Sequence, residues 1–176
     1  MSFLNTQLIR EAESSVALDG QTWPIGLPIA WIFDLDGTLF CTNRDAPDGG
    51  RGWFDYARLL EDWPIQAAID IAQMLDRMNQ KLLFVTARPE EARGLTLDQL
   101  SRHFLAPRTQ SRRQAVELFM RPTSEHLDHD LKRMIYREQI KPHWDIRGVF
   151  EDNEDVADLY KNEGPTVFQV KGPHQQ

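Results

Sequence analysis

A chain of 176 residues, 41% hydrophobic and 27% charged, is long enough for one domain with a real core and too short for two, and disorder is excluded as its dominant state. Its single cysteine, Cys41, rules out an internal disulfide framework; no signal-peptide pattern opens the chain and no run approaches the ~20 apolar residues of a membrane helix, so a reducing cytoplasm without a membrane partner is expected. A net charge of −7 disfavours broad nonspecific binding to a nucleic-acid backbone, leaving Arg102, Arg108, Arg112, Arg113 and Arg121 as either a local basic groove or a solvated surface.

Residues 1–28 read as an N-terminal extension ahead of a domain spanning 29–176. Within it Leu4, Leu8, Ile9 and Ala12 suit a helix, whereas Asp19-Gly20 between Val16 and Trp23 suits a hairpin. Ile29 to Phe33 is a buried strand running into Asp34. The stretch from Asn43 to Gly52, rich in Gly and Asp, reads as a flap. Pro64 suits the first position of a helix whose inward stripe is Ile65, Ala68, Ile69, Ala72 and Leu75. Lys81 to Val85 is a second strand, ending at Thr86.

From Pro89 to Phe104 a helix is expected to break at Gly94, with Thr96 and Gln99 forming a capping box for its second part. Val116 to Met120 suits another strand. Ser124 can cap a helix with Leu127, Leu131, Met134 and Ile135 inward, stopped by Pro142. Gly148 to Phe150 runs into Glu151-Asp152. Asn153 caps a helix through Val156, Leu159 and Tyr160, closed by Gly164-Pro165, and Thr166 to Val170 is a final strand. Apolar runs alternating with helices predict an α/β domain with a mainly parallel sheet. Three of those runs end in polar residues, and reactive groups of parallel sheets gather beyond the carboxyl ends of the strands.

The sharpest local signal is Asp34-Leu35-Asp36-Gly37-Thr38 behind the run Trp31-Ile32-Phe33. On extended backbone Asp34 and Asp36 point the same way, and Gly37 permits the bend that brings Asp36 over the site. Two acids so placed can divide one reaction, one attacking and the other moving a proton. His126, His129 and His143 make no familiar zinc spacing with Cys41, which itself reads as a small buried side chain.

This motif resembles the first signature of haloacid dehalogenase-like hydrolases. Thr86 closing a strand, Lys132 on a helix and Glu151-Asp152 closing a later strand follow in that superfamily's order. A closer resemblance is to the 3′-phosphatase domain of phage-type polynucleotide kinase. It is carried by Gly50-Arg51-Gly52 before Trp53-Phe54-Asp55, by Thr86-Ala87-Arg88, and by Ile140-Lys141-Pro142-His143-Trp144-Asp145 leading to Glu151-Asp152. No Gly-x-x-x-x-Gly-Lys-Ser/Thr loop occurs, so phosphorylation by ATP is not expected.

The resemblance implies a Rossmann-like three-layer fold with a minimal flap as cap, and a Mg²⁺-dependent phosphomonoesterase. Asp34 would attack phosphorus and Asp36 would act as acid and then base, its proton favoured by the neighbouring acids. Mg²⁺ would be bound by the Asp34 carboxylate, the Asp36 backbone carbonyl and Asp152. Thr86 would donate to a phosphoryl oxygen, and Lys132, oriented by Asp128, would balance charge. Glu151 stands where the family has aspartate, which suggests a supporting role, with Asp155 as its substitute through water. Arg51 and Arg88 would grip the substrate phosphate, with Thr38 a further substrate-contacting candidate. Trp53, Phe54 and Tyr56 would stack on a base or anchor the flap, the core being expected for two of them.

The short intervals between motifs leave no room for a large cap, so the site is expected to accept bulky substrates. A polynucleotide 3′-phosphatase, acting on nucleic-acid 3′ ends and leaving a separate kinase or ligase as partner, is the first reading. A small-molecule phosphatase acting on nucleotides or sugar phosphates is the alternative, and a weakly active module that binds phosphorylated ends is the second alternative. Oligomeric state is not legible in the sequence.

Overall fold

Pairing of the apolar runs builds the sheet that carries the site. The computed structural model describes residues 15–18, 21–24, 26–42, 52, 54–105, 116–122 and 128–171. Strand β1 (Ser15–Leu18) pairs antiparallel with β2 (Gln21–Pro24), Leu18 opposite Gln21, as a hairpin about Asp19-Gly20 requires. The helix suggested by Leu4, Leu8, Ile9 and Ala12 lies outside the described residues.

The central sheet contains β3 (Ile29–Phe33), β6 (Lys81–Pro89), β7 (Glu117–Arg121), β8 (Asp145–Glu151) and β9 (Thr166–Gln169), in the order β7-β6-β3-β8-β9. All its pairings are parallel. The chain steps outward from β3 through β6 to β7, then returns to the other side of β3 for β8 and β9. Strand order therefore reverses between β3 and β8, which opens a crevice at their carboxyl ends.

Alternation along β3 sends neighbouring side chains into two different cores. Phe33, Phe84 and Phe150 pack with Ala68, Ile69 and Ala72 of α1 (Gln66–Arg77) and Leu100 of α2 (Arg93–Leu100). Ile32, Leu83, Val85 and Val149 pack with Leu131 and Ile135 of α3 (Asp128–Ile135) and with Val156, Leu159 and Tyr160 of α4 (Glu154–Glu163). Helices on both faces of one sheet make the three-layer α/β fold that the sequence predicts. Burying each of these aliphatic side chains contributes roughly 1.5–3 kcal/mol before conformational entropy is subtracted.

Local signals for α4 hold: Asn153 accepts the Val156 N–H through its side chain at 3.2 Å, and Gly164 closes the helix at φ 114°. Two others are corrected. Pro64 precedes the helix rather than opening it, because it pairs with Phe40 in a short antiparallel ladder between β4 (Phe40–Cys41) and β5 (Trp63–Pro64). Gly94 does not interrupt the segment after Pro89: a 3₁₀ turn over Glu90–Ala92 leads directly into α2, whose side chains leave its N-terminus uncapped. Thr96 and Gln99 are buried inside that helix with other partners. The proposed cap Ser124 and its neighbour Leu127 lie outside the described residues.

The β4–β5 ladder brackets a segment whose described part includes a 3₁₀ helix over Tyr56–Glu61. The stretch from Asn43 expected as a flap lies, apart from Gly52, outside the described residues. Cys41 is half-buried on β4 rather than fully enclosed. Among the described residues no helix is long and apolar enough to cross a membrane.

Candidate active site

Register alone brings the reactive residues to one edge. Phe33 lies opposite Phe84 on one side and Phe150 on the other, so Asp34, Thr86 and Glu151 follow at the same carboxyl end. The Asp34 N–H donates to the Phe150 carbonyl at 3.0 Å and fixes the last residue before the turn. Leu39 and Phe40 then both donate backbone N–H groups to the Leu35 carbonyl at 2.9 Å, and Gly37 donates to Phe40 at 2.8 Å. Gly37 sits at φ 90°, a conformation that an L side chain resists, so the tight turn after Asp36 depends on glycine.

Asp34 is buried, and Lys132 reaches it from α3. The ammonium lies 2.7 Å from Asp34 Oδ1 and 2.8 Å from Glu151 Oε2. Burial by itself would lower the lysine's pKa, but attraction to Asp34 and Glu151 outweighs it, so Lys132 titrates well above its ordinary value. Burial also raises Asp34 well above the ordinary carboxylate range; Lys132 opposes that shift, and Glu151, Asp152 and Asp36 add to it. Glu151 is raised by burial against the pull of the same lysine. One cation thus serves two buried carboxylates.

Asp34 Oδ2 is buried and has no hydrogen-bond partner among the described residues. Asp34, Glu151 and Asp152 each offer one carboxylate oxygen, and these atoms lie within 4.8 Å of one another. A buried, unpaired oxygen in a group of carboxylates suits a hard divalent cation. Glu151 is already committed: Oε2 to Lys132, and Oε1 to the Asn153 N–H at 3.2 Å. Asp152 is half-buried beside it, and Thr38, fully buried, donates to Asp152 Oδ1 over a long 3.4 Å contact. The donor set therefore fits an ion held by Asp34 and Asp152, with Glu151 braced behind them.

Several expectations are corrected by these contacts. Arg88 is 1% exposed and does not present its guanidinium to a substrate. It donates twice to Asp36, through Nε and Nη2 at 2.8 Å each, and through Nη1 to Gln99 at 2.8 Å and Thr96 at 3.3 Å. Asp36 accordingly has one guanidinium against both of its carboxylate oxygens. Asp128 turns to Arg121 rather than to Lys132, which is satisfied by Asp34 and Glu151. Thr38 is buried and donates to Asp152. Asp155 is exposed on the first turn of α4 and stands outside the group of three carboxylates.

Thr86 is where expected, fully buried at the end of the continuous part of β6, with its hydroxyl 3.5 Å from Asp36 Oδ2 and accepting the Arg88 N–H at 3.2 Å. Arg51, Trp53, Arg108, Arg112 and Arg113 lie outside the described residues. Phe54 is 83% exposed while Tyr56 is half-buried against the core. Arg121 is committed to the Ala87 carbonyl and Asp128. Sequence reasoning missed Asp62, buried 4.0 Å from Arg88, and the partners of Arg88 on α2. A Thr and a Gln on the buried side of a helix, after a strand-end arginine, were the available signal. Tyr160 was read as core; its hydroxyl is buried without a partner, and burial raises its pKa far above the ordinary value.

An aspartate beyond the first parallel strand, a threonine beyond the second, a helix lysine and an acidic pair beyond the fourth define a haloacid dehalogenase-like phosphatase. The family model for the polynucleotide kinase PNKP phosphatase domain matches residues 28–174, and the chain belongs to that family. It is similar to a chain of the Pnkp1/Rnl/Hen1 RNA repair complex at 22% identity, over 94% of this chain and 53% of that one, with a TM-score of 0.69. It is also similar to the class C acid phosphatase from Bacillus anthracis with tungstate bound, at 16% identity over 97% of this chain and 72% of that one, with a TM-score of 0.57. At such identities the likeness is one of fold, and the chain spans about half the length of the first relative.

Proposed function

We propose that this phosphatase is Mg²⁺-dependent, works through an aspartyl-phosphate on Asp34, and removes 3′-terminal phosphate from nucleic acid. The observation that carries the chemistry is the buried Asp34, one oxygen held by Lys132 and the other unpaired within a group of carboxylates. Asp34 attacks phosphorus as the ester P–O bond breaks, and the leaving oxygen takes a proton from Asp36. Asp36, now ionised and gripped by Arg88, then removes a proton from water. The water oxygen attacks phosphorus, the Asp34–phosphorus bond breaks, and both residues return to their starting states. Thr86 donates to a phosphoryl oxygen, and Lys132 favours the ionised form of Asp34 against its burial and offsets charge on the phosphoryl group. Asp34, Asp152 and the Asp36 carbonyl would hold Mg²⁺, which would supply charge neutralisation between the carboxylates and the phosphate.

The 3′-end substrate rests on family membership and on Arg51 in Gly50-Arg51-Gly52, which we assign to the substrate phosphate alone now that Arg88 is otherwise engaged. The RNA repair complex in which a similar chain occurs supports a nucleic-acid end and a separate kinase or ligase as partner. We also assign residues 1–28 to an extension outside the catalytic domain. The test compares 3′-phosphorylated oligonucleotides with 5′-mononucleotides, with and without chelator. Activity should require Mg²⁺, favour 3′-phosphates, and fall only shallowly with salt if recognition stops at the terminal nucleotide. Equal or better rates on 5′-mononucleotides would replace the substrate by a small nucleotide, and turnover in chelator would overturn the metal.

A further inference from the structure

We propose that Thr96 and Gln99 of α2 are positioning residues for proton transfer by Asp36, acting through Arg88. The inference rests on the reading of Asp36 as acid and base. Asp36 is the partly open end of a buried chain of contacts, its side chain 26% exposed against 1% for that of Arg88. One edge of the Arg88 guanidinium, Nε and Nη2, grips Asp36; Nη1 is held by Gln99 Oε1 at 2.8 Å and Thr96 Oγ1 at 3.3 Å. A guanidinium is rigid and planar, so fixing one edge fixes the direction of the other.

Gln99 does a second thing. Its Nε2 donates to the Leu59 carbonyl at 2.6 Å, inside the 3₁₀ helix over Tyr56–Glu61. The amide accepts from the guanidinium at one end and donates to a carbonyl at the other. Thr96, Gln99 and Arg88 are all buried, so water does not substitute for a lost contact. The placement of the acid is thereby tied to the 3₁₀ helix that holds Leu59, and neither α2 residue need touch substrate.

The discriminating measurement is kcat/KM on aryl phosphates of one shape whose phenols differ in acidity, from phenyl to 2,4-dinitrophenyl phosphate. A poor leaving group needs the proton from Asp36 and a good one does not. Correct acid placement is worth about 10²–10⁴-fold. Thr96→Val and Gln99→Met should each lose about tenfold more on phenyl phosphate than on the dinitrophenyl ester, a tenth or less of what a correctly placed acid supplies. Thr96→Ser should recover the profile lost in Thr96→Val. Equal losses on both esters, or no loss, would overturn the proposal. If Gln99→Met melts below the assay temperature, Thr96→Val and Thr96→Ser decide it. Asp36→Asn is the control: if it shows no leaving-group dependence, the reading of Asp36 fails, whereas a dependent Asp36→Asn beside independent α2 variants refutes this inference alone.

Discussion

Lys132→Met is the substitution whose consequence follows most directly from the structure. The side chain is 5% exposed and the carboxylates it joins are 6% (Asp34) and 1% (Glu151) exposed, so all three groups are out of reach of solvent screening. Methionine fills most of the volume but leaves two buried carboxylates without their cation. Removing one partner of a buried ion pair costs about 3–5 kcal/mol. For a chain of this size, at about 2–4 °C per kcal/mol, the melting temperature should fall by about 6–20 °C at neutral pH. The pH dependence is a second signature. Asp34 and Glu151 already titrate above their ordinary values through burial, and losing the lysine pushes both further up. Groups raised in the folded state add stability at low pH and lose it as pH climbs through their folded pKa. In chelator, the deficit of Lys132→Met should therefore be largest at neutral pH and shrink on acidification, as the raised carboxylates take up protons. Thermal melts of both proteins across that range, read by circular dichroism, test it. A neutral-pH deficit below about 1 kcal/mol, or one that persists unchanged on acidification, would refute the buried-pair reasoning.

Other outcomes follow from the same contacts. Asp34→Asn should bring phosphate release below detection while melting within a few degrees of the parent, since an amide is a poor nucleophile and a poor ligand for Mg²⁺ but keeps the shape. Asp152→Ala should raise the Mg²⁺ concentration needed for half-maximal activity, whereas Glu151→Ala should chiefly lower stability, by about 2 kcal/mol, because Glu151 braces Lys132 and the Asn153 N–H. The reverse pattern would exchange their roles. Gly148→Ala should destabilise by about 1–3 kcal/mol in denaturant titration, because a Cβ there would lie 2.5 Å from the Trp31 ring and 2.9 Å from Phe168. A variant as stable as the parent would show that both rings can move aside at little cost.

What was readable in the sequence was whatever depends on local chemistry. Short apolar runs ending in polar residues announced a parallel sheet with its chemistry at the carboxyl ends, because a strand buried on both faces must be apolar throughout. Asn153 and Gly164 marked the ends of α4, and Gly37 marked the bend after Asp36, since each conformation is one that few residues adopt. Asp34, Asp36, Thr86, Lys132 and Glu151-Asp152 stood out for the same reason: reactive side chains at element ends. Which of them touch was decided only in three dimensions. Lys132 was read against Asp128, its neighbour on the helix, yet helical spacing sets only which side chains are near. The uncompensated carboxylates of β3 and β8 attract the ammonium more strongly than an exposed aspartate can. Arg88 looked like a phosphate fork because sequence says nothing of what surrounds a strand end; packing of α2 over β6 encloses it and turns its edges to Asp36, Thr96 and Gln99. Long-range burial sets the partners of a charge, because a charge removed from water must be matched by whatever the fold brings within reach.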